Sequence, residues 1–563
     1  VKRVVGVVSG VTILSAGMVT GWVAEPDGAD AAQVMPPQRI VWGACAAAGP
    51  KSAPPATLAE ILKELTGNGG GLSPAVAARR AATPECANVR VPLDPAQPGG
   101  QQITIALNRI KGSAPRDGNH LGPLLVNPGG PGASGLALAR HVAASLPPEV
   151  AARYDVIGFD PRGVGASKPA LTCVDPKRYY APPRPDNVPA DEAAERVLLG
   201  RAEAYAAACG NKFAWMLPYM TTENAARDVE ALRRALGEEK ISWLGYSYGT
   251  YLGSVYATLF PDRVRRMVLD SVVDPTKVWY DANLDQNVAF DDRHRDFLDW
   301  VADHNALFRL GDTEEEVSFA WYGMRKRLAE RPAGGIVGPS ELDDTFTVGG
   351  YSDAVWATFA RAFSDYVRKG DVTALVNAYR RHGETDAADE NGYAVYLATQ
   401  CRDAAWPRDW SRWRADARRI YARSPFMTWS NTVYNLPCAF WPQAGGTPVT
   451  VGSGRAFPPI LILQSRFDAA TPLRGALTVR DRFPSARLML VGGGNHGVSF
   501  GGNACVDRRV AAYLKDGLLP ERRRTGSEAD LTCTSAGARA ATRMASTAGD
   551  PTHERLTQVL LGR

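Results

Sequence analysis

Several signatures of metal, nucleic-acid and membrane-spanning proteins are missing from this chain of 563 residues. Its seven histidines are scattered and no pair among its eight cysteines has C-x-x-C spacing, so neighbouring residues supply no zinc-ligand cluster. No metal or cofactor is expected. Lys and Arg number 64 against 59 Asp and Glu, a net charge of +5 without a strong basic block, which removes nucleic acid as an expected partner. Hydrophobic residues at 45% and charged residues at 22% are ordinary globular values, which excludes both disorder and a polytopic membrane protein. No cysteine lies near the end of the N-terminal apolar run, so a lipid-modified N-terminal cysteine is not expected.

What is present begins with that run. Lys2 and Arg3 precede a mostly apolar stretch from Val4 to Ala24, and Ala29-Asp30-Ala31 offers a small-x-small cleavage pattern, so residues 1–31 read as a secretory signal peptide. An uncleaved membrane anchor is the competing reading. A cleaved signal implies a secreted protein with no stable membrane association, and Val1 reads as an alternative start codon translated literally, a bacterial habit. An even number of cysteines fits an oxidising compartment. Of the roughly 105 full connectivities, pairing in chain order is favoured, because each pair then closes a loop within one segment. Each closure contributes about 3 to 4 kcal/mol in the chain-entropy model, and free buried thiols are the alternative.

The length suits two domains or one large α/β domain with an insertion. Ile40, Trp42 and Cys45 read as anchors for an Ala- and Pro-rich start, and Leu58 to Leu65 as a short amphipathic helix. Val89 to Leu93 and Gln101 to Ile110 predict a hairpin or meander. Buried strands are then predicted at Leu124 to Val126, Tyr154 to Phe159, Lys240 to Leu244 and Val264 to Val273. A helix from Glu223 to Leu236, capped by Thr222, feeds the third of these. The proline-rich stretch from Pro182 to Asp191 reads as an exposed excursion, and Asp160 and Arg162 as a buried pair that holds loops. Strands and helices thus alternate from 89 to 273 as in a parallel sheet. From Trp279 to about Tyr434 only helical patterns appear, and strands resume at Ile460 to Leu463 and Leu488 to Val491. The tail from Ala536 predicts one peripheral helix with no assigned role. The resulting division is 1–31 signal, 32–275 first part of an α/β core, 276–440 helical cap, 441–535 second part of the core, and 536–563 tail.

Chemistry concentrates in Leu244 to Thr250, where Gly245, Ser247 and Gly249 form the G-x-S-x-G pattern of a nucleophile elbow between a strand and a helix. An inert glycine-bounded turn is the alternative for this stretch alone. A serine nucleophile needs a base, and α/β-hydrolases carry Ser, Asp or Glu, and His in that chain order. His496, in Gly492-Gly493-Gly494-Asn495-His496-Gly497, is the histidine that follows a strand of the C-terminal core. Asp468 stands at the end of the preceding strand, with Asp270 and Asp274 as alternatives. The backbone N–H groups of Tyr248 and of Gly130, in the loop Asn127 to Gly132, are the expected oxyanion donors.

With these blocks in place the chain resembles the secreted tripeptidyl aminopeptidase family of actinobacteria, α/β-hydrolases related to prolyl aminopeptidases. The resemblance rests on Val91-Pro92-Leu93-Asp94, the Asn127 to Gly132 loop, Asp160-Pro161-Arg162-Gly163, the elbow with Thr250 and Tyr251, Val273-Asp274-Pro275, Asp468-Ala469-Ala470-Thr471-Pro472 and Asn495-His496-Gly497. It implies an α/β-hydrolase fold with an inserted helical cap, and release of short peptides from free N-termini. It weakens in the cap and after Cys533. Carboxylates are needed for the substrate ammonium, and Asp285, Asp291 and Asp292 are cap residues of the right type, with no ground to choose among them. A peptide or small acyl compound is thus the expected partner. A secreted esterase or amidase, and a silent binding protein on the same fold, remain as alternatives. The oligomeric state is not encoded in these patterns.

Overall fold

The computed structural model describes residues 38–45, 83–452, 457–523, 528–534 and 551–561. The signal segment and the helix expected at Leu58 to Leu65 lie outside the described residues. A ten-stranded sheet organises the rest: β1 Gly43–Ala44, β2 Glu85–Pro92, β3 Gln102–Ile110, β4 Pro123–Asn127, β5 Asp155–Asp160, β6 Ile241–Tyr246, β7 Val264–Asp270, β8 Ile460–Ser465, β9 Ala486–Val491 and β10 Leu531–Cys533. Their spatial order is β1-β2-β3-β5-β4-β6-β7-β8-β9-β10. β2 and β3 form the predicted antiparallel pair, β3 joins β5 antiparallel, and every pairing from β5 through β4 to β10 is parallel. The edge strands β1 and β10 are too short to give a periodic signal in sequence.

Successive apolar residues of the central strands point to opposite faces because the side-chain period of a strand is two. In β8, Ile460 and Ile462 join the core on one face of the sheet while Leu461 and Leu463 join the other. Helices Thr222–Ala235, Tyr248–Leu259 and Arg474–Arg482 cover the first face, and Gly135–Ser145 and Ala504–Asp516 cover the second. With both faces covered, the central strands read as continuous apolar runs. Between β7 and β8 the chain passes through helices, among them Tyr280–Asp303, Pro339–Tyr351, Ala387–Asp403 and Thr428–Asn435. Many of them gather on a separate aromatic core around Trp321, Phe346 and Phe359.

The cysteines pair in chain order: Cys45–Cys86, Cys173–Cys209, Cys401–Cys438 and Cys505–Cys533. Trp42 lies under the guanidinium of Arg109, 4.1 Å from its ring centre, so the anchor role expected of it holds. No helix among the described residues is long and apolar enough to cross a membrane.

Four local expectations need correction. Thr221, not Thr222, caps its helix by accepting from the Asn224 N–H at 3.1 Å; Thr222 is free to bind elsewhere. Arg162 pairs with Asp228 at 2.7 and 2.8 Å, whereas Asp160 accepts from Ser134 Oγ and the Ala166 N–H, so both hold loops without meeting each other. The stretch 182–191 is only partly an excursion: Arg184 binds Glu341 and Asp344, and the Asn187 N–H donates to Ser340 Oγ at 3.0 Å. The tail helix, Pro551–Leu560, is not peripheral, since Leu556 and Leu560 are buried in the core that also holds Val498 and Phe500.

Candidate active site

Ser247 stands between the end of β6 and the first residue of helix Tyr248–Leu259, with φ 55° and ψ −127°. A serine in this region of backbone space is strained, and it persists because its surroundings hold it. The Ser247 N–H donates to the Asp270 carbonyl at 3.0 Å, and Thr250 donates through both N–H and Oγ1 to the Ser247 carbonyl. A Cβ at position 249 would lie 2.6 Å from the Asn127 carbonyl, so only glycine lets the helix start that close to β4.

The loop after β4 rests directly on this turn. Gly129 has φ +101°, and a Cβ there would fall 2.6 Å from the Tyr246 carbonyl and 2.9 Å from the Tyr248 nitrogen. The two expected oxyanion donors, the N–H groups of Gly130 and Tyr248, have no hydrogen-bond acceptor among the described residues. The Tyr248 side chain is fixed from below: its hydroxyl meets Thr222 Oγ1 at 2.8 Å, and Thr222 donates to the buried Asp403 carboxylate through Oγ1 at 2.6 Å and N–H at 2.7 Å. Trp279 Nε1 donates to the same carboxylate at 3.2 Å. Burial pushes Asp403 up to about 6. Asp403 did not stand out in sequence, because its partners Thr222 and Trp279 lie 181 and 124 residues away.

Asp468 follows β8 and His496 follows β9, and the structure brings them together. His496 Nδ1 is 3.0 Å from each Asp468 carboxylate oxygen, with both residues buried. The Ala470 and Thr471 N–H groups donate to Asp468 Oδ1 at 3.0 Å, and Thr471 Oγ1 donates to Oδ2 at 3.1 Å. A carboxylate held this way accepts Nδ1–H and leaves Nε2 as the free basic nitrogen of the imidazole. The Tyr351 carbonyl accepts the His496 N–H at 2.8 Å, and the Tyr351 ring stands edge-on to the imidazole at 5.4 Å.

The alternative acids have other partners. Asp270 accepts from the Val498 and Ser499 N–H groups and from Ser499 Oγ, which anchors the loop carrying His496; burial pushes it up to about 6. Asp274 closes a turn by accepting from Thr276 N–H and Oγ1.

Ser247, Tyr248, Gly130, Tyr351 and Thr471 line one side of a cavity of about 510 Å³. Helices of the segment between β7 and β8 roof it, and Tyr180, Tyr393 and Tyr434 form part of its wall. Of the three cap acids singled out in sequence, Asp285 lines the cavity and pairs with Lys277. Asp291 is turned to Arg295 and to the Phe426 N–H, and Asp292 is exposed outside the lining. Asp344, paired with Arg184, and Asp389 also line the cavity, and neither stood out in sequence because acids on a helix are usually solvated.

The α/β hydrolase fold family matches residues 122–502. The tripeptidyl aminopeptidase of Streptomyces lividans is 47% identical over 457 residues, 80% of this chain and 83% of the relative. The chain belongs to the tripeptidyl aminopeptidase family of α/β hydrolases. Two further similar proteins come from Mycobacterium tuberculosis. The serine protease Hip1 is 32% identical over 77% of this chain and 86% of its own length, and carboxylesterase B is 32% identical over 78% and 85%. The stretch that matches the fold family includes both glycine loops, the elbow, Asp468 and His496, together with the whole helical segment that roofs the cavity.

Proposed function

We propose that this serine peptidase is an exported aminopeptidase that releases short peptides, tripeptides, from free N-termini through an acyl-enzyme on Ser247. The observation that carries the reading is the buried Asp468–His496 pair, 3.0 Å apart, held by the loops after β8 and β9 of the same sheet whose β6 ends in the strained Ser247 on a large cavity. In the proposed reaction Ser247 Oγ attacks the scissile carbonyl while His496 Nε2 takes its proton, and Asp468 stabilises the imidazolium that forms. The N–H groups of Gly130 and Tyr248 donate to the negatively charged tetrahedral oxygen, each contributing about 3 kcal/mol. Collapse expels the leaving amine, which takes the proton from His496. Water then repeats the sequence on the ester and frees Ser247.

The carboxylates of Asp285, Asp344 and Asp389 on the cavity wall support recognition of a substrate ammonium. The 276–440 segment acts as the cap that sets substrate length and side-chain preference. Export is supported by the N-terminal basic and apolar pattern and by four disulfides. A secreted esterase or amidase is the second reading, favoured by the 32% identity to carboxylesterase B.

Two measurements test the proposal. A fluorophosphonate probe is expected to label Ser247, with labelling lost in Ser247→Ala and His496→Ala; a folded wild-type protein that resists the probe would overturn the catalytic reading. Tripeptidyl amides with free and acetylated N-termini are expected to differ strongly in kcat/KM in favour of the free amine. Equal cleavage of both, with good turnover of simple esters, would move the assignment to the second reading.

A further inference from the structure

The loop that carries His496 is rich in glycine, so its own residues do little to fix its backbone. External bonds do so instead. Ser465 Oγ donates to the Asn495 carbonyl at 2.6 Å, the His496 N–H to the Tyr351 carbonyl, the Gly497 N–H to Ser271 Oγ at 2.8 Å, and Val498 and Ser499 to Asp270. One contact comes from the tail helix: His553 Nε2 lies 2.9 Å from the Gly497 carbonyl. A carbonyl only accepts, so Nε2 carries the proton and Nδ1 is left to accept. Ser352 Oγ, 2.8 Å away, donates to it.

Ser352 directly follows Tyr351, whose carbonyl holds the His496 N–H. The bonds therefore make a closed circuit. It runs from His496 to Tyr351, along one residue to Ser352, across His553, and back through the Gly497 carbonyl to His496. His553 is 5% exposed and Leu556 fully buried, and a Cβ at position 497 would sit 2.6 Å from Leu560 Cδ1, so the helix lies tightly against the loop. Glu554 pairs with Arg381 of helix Thr373–His382 at 2.5 Å on the outer side.

We propose that His553 is a positioning residue for His496, and that helix Pro551–Leu560 is a working part of the active site. The inference rests on the reading of His496 as the base. Small displacements of a catalytic group are costly, about 100-fold for 1 Å.

The test uses the full chain and compares His553→Ala, His553→Gln, Ser352→Ala, His496→Ala and Val510→Ala, the last a truncation in the same apolar core away from the loop. Steady-state turnover of a tripeptidyl nitroanilide, fluorophosphonate labelling rate and melting temperature are measured for each. His553→Ala is expected to lower kcat and the labelling rate about 10- to 100-fold with little change in KM. His553→Gln, whose amide can donate to Gly497 and accept from Ser352, is expected to recover most of the loss, while Val510→Ala lowers the melting temperature and keeps kcat. If His553→Ala does not fold, the Gln and Ser352 variants decide. Wild-type kcat and labelling in His553→Ala, or in the Ser352 variant should the alanine fail to fold, would overturn the inference. So would losses in the His553 variants that only track melting temperature, as in Val510→Ala. Retained activity in His496→Ala would instead overturn the assignment of the base.

Discussion

β7 and β8 run side by side, and each delivers a buried aspartate to the neighbourhood of one histidine loop. Asp468 after β8 meets the imidazole itself, while Asp270 at the end of β7 meets the backbone two and three residues beyond it. Both satisfy the rule that the acid stands at a strand end. The difference lies in the donors each finds: at β8 two turn amides occupy one oxygen of the carboxylate and orient it toward Nδ1. At β7 the donors are the loop's own N–H groups and Ser499 Oγ. Position along a strand offers a carboxylate to the site, and the surrounding donors decide whether it serves the proton or the backbone.

The largest effect expected from this contrast is in turnover. Asp468→Asn is expected to lower kcat about 10⁴-fold with the fold intact, because the amide favours the wrong imidazole tautomer. Asp270→Asn is expected to stay within about 100-fold, the cost of a shifted loop. Equal losses would erase the distinction between the two strand ends. A third strand end provides the next test. Gly129→Ala pushes a methyl against the Tyr246 carbonyl, Ser247 Cβ and the Tyr248 nitrogen, and kcat is expected to fall at least about 100- to 1,000-fold, the cost of losing one proposed oxyanion donor.

The contrast also has a pH signature. Burial raises Asp270 from 3.8 to about 6 in the native state, so between these values the native protein holds a proton that the unfolded chain has released. The resulting stability is complete below about pH 4 and is lost as the pH rises through about 6, on the order of 3 kcal/mol. Urea denaturation across that range is expected to show a shallower fall in Asp270→Asn. An unchanged slope would separate Asp270 from the pH response. The smallest effect belongs to the β8 side: Thr471→Val removes one hydrogen bond to Asp468 and is expected to cost about 3- to 10-fold in kcat.

These contrasts track how much could be read from sequence. The strand-to-helix turn at Ser247 and the glycine loop after β4 were legible because each depends on glycines at fixed short spacing, and the meeting of Asp468 with His496 because each follows an apolar strand run. The central strands were legible through apolar runs. What sequence hid was partnership over distance. Arg162 finds Asp228 rather than its neighbour Asp160, and Arg184 finds two acids more than 150 residues away. The tail helix shows the same limit. Its apolar spacing at Leu556 and Leu560 predicts a helix, but nothing local says that the face lands on Gly497. The cap acids were unresolved for a related reason, since an aspartate on a helix looks the same whether it faces solvent, an arginine or a cavity.

The four disulfides span 41, 36, 37 and 28 residues and never interleave. A chain delivered N-terminus first to an oxidising space can therefore close each bond before the next cysteine pair emerges. Order of arrival would then select the partners, and the native connectivity would need no bond to be reopened.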